Sequence, residues 1–469
     1  MQKMMPRFPG LIMSAIVALA PCLAQNSVSP QPQFDKQELD RQARFDKLVR
    51  AETSAAGHVG TAIAVVSGGR MVYAKAFGLA NVETKEPLSL DHVWRSGSVA
   101  RAYTSMVIAS LAREGVLPLD QPVGTLWPEL NPQLGRATIR QLLENRGGVR
   151  DEHVDYPLWA IGNLRKYALS FKSAAMIAEP GYIWSFSSPS GNLAAAVTEQ
   201  VSGKDFGELL ESRVFRPMEF TRTSLSILHI ATEPIAQGHS RDAGNWHVVR
   251  PLASNIVGWP GNSIFTSVGE AITFIGALAG EGQWNGRQVF TKPAVADTLA
   301  FVKSGRNVGA VMQESTSWGG VATTFVLIPD KQFGLILFTN GGLGRTSPPS
   351  IIAGAREIWL GESAPGTVSR SAPASHPVAV TEAQAKELAG TFRNEYLIRL
   401  EWRDGSLMFR DEGTSYRKPS DWIPMKRLSD TRYVLDKSLT YGTDLSVVRS
   451  PDGALTHIVY GSRAFQKQL

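Results

Sequence analysis

The chain has 469 residues, of which 43% are apolar and 19% charged, with 43 glycines and 27 prolines spread along it. This composition excludes a disordered, collagen-like or coiled-coil protein and indicates a globular one that is long enough for more than one domain. The 48 basic and 42 acidic residues leave a net charge of +6 without a basic run, which argues against a nucleic-acid partner; the single cysteine, Cys22, excludes a disulfide framework.

The N-terminal segment has the pattern of a secretory signal peptide. Two basic residues precede an apolar run from Leu11 to Leu19, which is too short to span a bilayer. We expect cleavage after Ala24, no transmembrane segment, and a periplasmic or secreted protein. The residues before Cys22 resemble a bacterial lipobox, so a lipid anchor is the alternative, but the proline directly before this cysteine departs from that pattern.

Apolar spacing predicts helices and strands that succeed one another over residues 25–361. A helical period at 35–51 is followed by two β-rich runs, 61–66 and 71–77, whose separating Ser67-Gly68-Gly69-Arg70 predicts a hairpin. The later patterns are helical at 99–114, 139–144, 190–201, 268–279 and 351–360, and strand-like at 322–328 and 333–339. We therefore expect an α+β domain with one antiparallel sheet, built from both ends of this region and flanked by helices.

The remaining residues predict a separate C-terminal domain. The stretch 362–377 is rich in proline, serine and alanine, as linkers are. From 378 to 469, short alternating runs are separated by turn signals at 404–405, 411–413 and 451–453. This pattern predicts a small antiparallel β-domain, either a barrel or a sandwich.

Several kinds of chemistry have no motif in this sequence. There is no phosphate-binding loop, no dinucleotide fingerprint and no His-Glu-x-x-His, so we expect neither a cofactor nor a metal. One acidic cluster contains Asp151, Glu152, His153 and Asp155. We interpret it as an exposed loop, with cation binding as the alternative.

Gly97-Ser98 opens the predicted helix at 99–114. A serine at a helix N-terminus can attack an acyl carbon when free backbone N–H groups stabilise the oxyanion and a neighbouring base removes the hydroxyl proton. The plain alternative is that Ser98 only caps the helix.

Five sequence blocks follow one another in an order that is more specific than any one of them: 93–123, 179–204, 214–218, 261–267 and 318–341. Together they resemble the serine β-lactamase and penicillin-binding superfamily, especially its class C β-lactamase and family VIII esterase branch. The resemblance implies a β-lactamase/transpeptidase-like sheet with a helical subdomain, and the C-terminal segment resembles the β-domain appended to many bacterial members.

The resemblance also implies roles for individual residues. Ser98 matches the nucleophile, Trp318-Gly319-Gly320 matches the third motif of the esterase branch, and the N–H groups of Ser98 and Val321 would form the oxyanion hole. Ser188 falls in the second motif. The implied partner is a small-molecule or peptide acyl substrate.

Three features of this sequence depart from the family pattern. Arg101 replaces the lysine of Ser-x-x-Lys, and a guanidinium keeps its proton at neutral pH, so Arg101 could orient Ser98 or hold an anion but not act as a base. Phe186 replaces the tyrosine of the second motif and has no hydroxyl. The His-Thr-Ser-Gly turn of the family is changed to Asn145-Arg146-Gly147-Gly148.

Two substitutes for the missing groups remain open. Ser190-Gly191-Asn192 reproduces the Ser-x-Asn form of the second motif, but it lies four residues too late in the chain relative to Val201-Ser202-Gly203. Alternatively, Tyr103 or Tyr182 could supply a hydroxyl, although the helical spacing of Tyr103 favours a place in the core. The sequence thus predicts a serine hydrolase of weak or altered activity, with a catalytically silent binding protein as the alternative.

Overall fold

The computed structural model of the chain describes residues 34–97, 99–151, 163–242, 244–250, 252, 258, 260–303, 312–341, 349–362, 377–413, 418–436 and 444–468. The expected signal peptide, Cys22 and nearly all of the expected linker lie outside these residues, as does Ser98.

The described helices are α1 (Lys36–Ala56), α2 (Val99–Arg113), α3 (Val123–Leu126), α4 (Ile139–Leu143), α5 (Leu164–Leu169), α6 (Ser188–Ser202), α7 (Phe206–Leu210), α8 (Ile227–Ile230), α9 (Val268–Ala279), α10 (Lys292–Lys303), α11 (Pro349–Leu360) and α12 (Glu382–Leu388).

The strands described before the C-terminal domain are β1 (Gly60–Ser67), β2 (Arg70–Asn81), β3 (Glu86–Pro87), β4 (Val93–Arg95), β5 (His239–Asp242), β6 (Asn245–Val248), β7 (Phe265–Ser267), β8 (Gln283–Trp284), β9 (Arg287–Gln288), β10 (Met312–Trp318), β11 (Val321–Ile328) and β12 (Phe333–Asn340). Those of the C-terminal domain are β13 (Val378–Ala379), β14 (Gly390–Arg393), β15 (Leu397–Arg403), β16 (Ser406–Asp411), β17 (Ile423–Arg427), β18 (Arg432–Leu435), β19 (Asp444–Arg449), β20 (Leu455–Tyr460) and β21 (Arg463–Lys467).

Strands from both ends of the N-terminal region share one antiparallel sheet, as the sequence predicts. Its order is β10-β11-β12-β1-β2-β3, and the junction between early and late strands is the pairing of β1 with β12, where Ile63 faces Leu337. The β1–β2 hairpin turns at Gly68 and Gly69, whose φ angles of 60° and 74° suit the two-residue turn that follows the twist of the strands.

Helix α2 runs through the middle of the core. Its residues from Val99 to Ala109 are buried, so the helix has no solvent face over this length, as expected for a central helix. Tyr103 is fully buried, and its ring centroid lies 4.4 Å from that of Phe274. Tyr103 is therefore a core residue, as its helical spacing predicts.

The C-terminal strands close into a barrel, which decides between the barrel and the sandwich. Each strand from β14 to β21 pairs with the next, and β14 also pairs with β21, so these strands form a ring. Asp404 and Gly405 make the predicted hairpin turn between β15 and β16. The predicted turn at 411–413 is not a tight hairpin, because β17 begins only at Ile423.

In the part of the chain that the structure describes, no helix has both the length and the apolar character needed to cross a membrane.

The packing of the core can be tested by substitution at the stacked pair of Trp94 and Phe338. Both rings are fully buried and stack 5.4 Å apart, so Phe338→Ala should remove about 3–5 kcal/mol of stability by leaving a cavity. Thermal unfolding should show a clear fall in Tm. Leu228→Ala, at a side chain that is 80% exposed, should leave Tm nearly unchanged; equal effects of the two substitutions would contradict this packing.

Candidate active site

The segment that leads to Ser98 is fixed by a short pair of strands. β4 pairs with β7, which brings two of the five sequence blocks together, and the N–H of Ser96 donates to the Ile264 carbonyl at 2.7 Å. Gly97 has a φ of 54°, a conformation that favours glycine. Helix α2 begins at Val99, the residue after Ser98 in the chain.

Arg101 is buried, and its guanidinium joins three segments. Nη1 donates to the Ser187 carbonyl at 2.8 Å, while Nη2 donates to Asn145 Oδ1 at 2.9 Å and to the Leu143 carbonyl at 3.3 Å. A guanidinium has donors only and keeps its proton. Arg101 therefore ties α2 to the end of α4 and the start of α6, and it does not act as a base.

Asn145 is the acceptor at the centre of this arrangement. Its Oδ1 accepts from Arg101 and, at 3.2 Å, from the N–H of Ser187, while its carbonyl accepts from the N–H of Ser185 at 2.9 Å. Its φ of 58° is a conformation that asparagine tolerates better than most residues. Sequence reasoning treated Asn145 only as part of a changed turn and missed this role.

Two guanidinium groups lie over the ring of Phe186. The Cζ atom of Arg101 is 5.2 Å from the ring centroid and that of Arg463, from the barrel, is 5.3 Å away. Cations at this distance are attracted to the face of an aromatic ring. Phe186 thus stabilises two positive charges. Because it has no hydroxyl, it cannot transfer a proton.

Asp151 corrects the prediction of an exposed acidic loop. Its side chain is 1% exposed, its Oδ1 accepts from the N–H of Ser188 at 2.9 Å, and its Oδ2 accepts from Arg463 Nε at 2.7 Å. The other members of that cluster lie outside the described residues. Sequence reasoning also missed Arg463, since no local pattern links two residues that are 312 positions apart.

The third motif forms the turn between β10 and β11. Trp318 ends β10 and pairs with Val321, the first residue of β11, and the intervening Gly319 and Gly320 have φ angles of 60° and 76°. A Cβ at Gly320 would lie 2.4 Å from the backbone nitrogen of His239, so this position requires glycine.

The peptide that follows Gly320 has a fixed orientation. The Gly320 carbonyl accepts from the N–H of His239 at 3.1 Å and from that of Gly341 at 2.9 Å. Because the N–H of a trans peptide points opposite to its carbonyl, the Val321 N–H points away from these two donors.

The structure brings Arg101, Phe186 and the start of α6 at Ser188 together, whereas Gly320 contacts β5 and the end of β12. Ser190 and Asn192, from the alternative motif, are buried in α6, and a Cβ at the intervening Gly191 would lie 3.7 Å from Arg101 Nη1.

Two further observations concern groups outside this cluster. The Tyr182 hydroxyl donates to the Arg449 carbonyl of the barrel at 3.3 Å. Among the described residues, no group of three or more His, Cys, Asp or Glu side chains could hold a metal ion.

His239 supports the third motif in its neutral form. Its Nε2 accepts from the N–H of Val82 at 3.1 Å, which requires that this nitrogen carry no proton. Burial lowers the pKa of His239 to about 4. The strand that packs behind Gly320 therefore carries a neutral imidazole.

The family model described as Beta-lactamase matches residues 45–355. Penicillin-binding protein 4* of Bacillus subtilis (strain 168) is 23% identical over 334 residues, which cover 65% of this chain and 72% of that protein. Esterase EstB of Burkholderia gladioli is 28% identical over 198 residues, which cover 38% of this chain and 48% of the esterase.

Solved structures resemble nearly the whole chain. SurE superposes with a TM-score of 0.73 at 23% identity, covering 92% of this chain and 99% of SurE. The octameric penicillin-binding protein homologue from Pyrococcus abyssi superposes with a TM-score of 0.59 at 15% identity, covering 91% and 99%. At these identities the likeness concerns the fold.

The neutral state of His239 predicts a pH dependence of stability. The unfolded chain binds a proton near pH 6.5 and the folded chain only near pH 4, so stability should be lost as the pH falls through this interval. His239→Gln should make Tm less dependent on pH between these values, measured by thermal unfolding. The exposed His229→Gln is the control and should retain the wild-type slope; an unchanged slope in His239→Gln would contradict the prediction.

Proposed function

The chain belongs to the beta-lactamase family, and on that premise we propose that it is a serine hydrolase in which Ser98 forms an acyl-serine with an amide or ester substrate. The Ser98 oxygen would bond to the acyl carbon while the amine or alcohol leaves with a proton, and water would then release the acid and restore the serine. The names of the relatives favour a β-lactam or an ester as substrate. A D-alanyl peptide is the third substrate that the sequence resemblance implies.

The match of residues 45–355 to the Beta-lactamase family model carries this proposal. The resemblance assigns the oxyanion hole to the N–H groups of Ser98 and Val321, and backbone donors of this kind stabilise the negative charge of an acyl-transfer transition state. In the hairpin between β10 and β11, Val321 pairs with Trp318, so its N–H faces β10. Backbone donors also survive the side-chain changes at Arg101 and Phe186.

We propose that the reaction is slow. Neither Arg101 nor Phe186 can take the proton of Ser98, and the loss of one general base typically costs about 10²–10⁴-fold in rate. Losses within one catalytic unit do not simply multiply, so slow acylation remains compatible with both replacements.

A second candidate is a binding protein that uses the same site without catalysis. The hydrogen bonds of Arg101 favour it, because they hold the replacement for the family's lysine as a structural tie between segments. Such a protein would bind a peptide or a small acyl ligand without forming a covalent bond.

We further propose the organisation predicted from the sequence for the whole chain. Residues 1–24 would be removed on export to the periplasm or the exterior, residues 25–361 would form the hydrolase domain, and 362–377 would connect it to the β-domain at 378–469. N-terminal sequencing of the exported protein tests the first of these boundaries.

Intact-mass spectrometry after incubation with a fluorophosphonate or a β-lactam should show a covalent adduct on the wild type and none on Ser98→Ala. Ser267→Ala is the matched control, since Ser267 caps α9 by accepting from the Glu270 N–H and should be irrelevant to acylation. Absence of any Ser98-dependent adduct would overturn the hydrolase proposal. Saturable binding of the same β-lactam that persists in Ser98→Ala would then support the binding protein.

Restoring the family's residues should accelerate acylation. Arg101→Lys combined with Phe186→Tyr should raise the fluorophosphonate labelling rate by about tenfold or more if these two groups alone are missing. Because lysine cannot replace all the hydrogen bonds of Arg101, Tm should fall at the same time. A folded double variant with no gain in rate would contradict the explanation of slow acylation.

A further inference from the structure

The barrel packs directly against the second motif of the hydrolase domain. Ala464 of the barrel is buried with Ile177 and Ile183, and His457 Nε2 lies 2.8 Å from the Ile177 carbonyl. The N–H of Ala464 donates to Ser185 Oγ at 3.1 Å. The two parts of the chain thus share a packed interface beside Phe186.

Four successive backbone N–H groups of the second motif are all hydrogen-bonded, to three partner residues. Those of Ser185 and Ser187 donate to Asn145, within the hydrolase domain. The N–H of Phe186 donates to the Ser462 carbonyl of the barrel at 2.9 Å, and that of Ser188 donates to Asp151 Oδ1. Every second bond in this series therefore depends on the barrel or on Asp151.

Asp151 itself depends on the barrel. Its buried Oδ2 accepts from both Nε and Nη2 of Arg463, at 2.7 Å and 2.5 Å, and its N–H donates to Asn394 Oδ1 at 2.9 Å. The Asp151 side chain is buried whereas that of Arg463 is 28% exposed, so removing Arg463 would leave a buried carboxylate without its cationic partner and destabilise the structure at that point. Arg463 also lies over the Phe186 ring, so its loss would remove support from the same segment twice.

We infer that Asp151 and Arg463 form an interdomain latch that positions the second-motif segment 185–188, and with it the start of α6, for the reaction at Ser98. This inference rests on the proposed function for the reaction, but the position of the segment can be measured without any substrate. Both members are positioning residues, since they act through Phe186 and Ser188.

Hydrogen–deuterium exchange of the full chain, resolved to single amides by fragmentation in the mass spectrometer, tests the latch. Arg463→Gln and Asp151→Asn should each accelerate exchange at Phe186 and Ser188 by about tenfold or more, through local opening. Exchange within β15 and β16 of the barrel should stay unchanged. Arg432→Gln is the matched control, because it breaks an ion pair with Asp444 inside the barrel.

Three further measurements separate a latch from general destabilisation. The double variant Asp151→Asn/Arg463→Gln should accelerate exchange less than the product of the single effects, because each change breaks the same pair. Arg463→Lys keeps the charge and should give an exchange rate at Phe186 and Ser188 between those of the wild type and Arg463→Gln. This variant replaces Arg463→Gln in the test if Arg463→Gln does not fold. Fluorophosphonate labelling of Ser98 should slow about tenfold to a hundredfold in the single variants.

Unchanged exchange at Phe186 and Ser188, or an equal rise throughout the chain, would overturn the latch. Local exchange that rises while Ser98 labelling keeps the wild-type rate would overturn its role in positioning the site. If the wild type itself forms no Ser98 adduct, the proposed hydrolase fails, and the exchange measurement alone still decides whether the latch holds the segment.

Discussion

A buried guanidinium on the central helix fixes the relative position of the elements that contact it. Arg101 is a buried residue of α2, where water cannot satisfy its N–H donors. Neighbouring carbonyls and Asn145 must therefore supply the acceptors. These acceptors belong to the end of α4, the following turn and the start of α6. The relative position of these elements is therefore set by the hydrogen-bonding requirement of one side chain, and a neutral or shorter side chain would relax it.

The barrel adds a second guanidinium, that of Arg463, to this polar arrangement. Phe186 lies beneath both Arg101 and Arg463, and Asp151 balances the charge that the barrel brings. The two guanidinium groups have different partners, backbone and amide oxygens for one and carboxylates for the other. The second motif is thus held by residues of the N-terminal domain and of the barrel at once.

Sequence periodicity predicted the elements that depend on local forces. Helix α9 begins and ends where its apolar face predicts, after the Ser267 cap, and the β1–β2 hairpin turns at its two glycines. The closure of the barrel could not be predicted, because it depends on pairings between strands distant in sequence. The roles of Asn145 and of Asp151 with Arg463 were hidden for the same reason: their partners are defined only once the chain has folded.

The separation of Asp151 from Arg463 also has a consequence in time. The two residues are 312 positions apart, so at ordinary synthesis rates Arg463 is made roughly 15–60 s after Asp151. During that interval the carboxylate has no barrel to pair with, and the segment at Phe186 lacks its second support. The nascent N-terminal domain would remain locally open until the barrel emerges, so a chain that terminates between the two residues would lack the barrel contacts of the segment at Phe186.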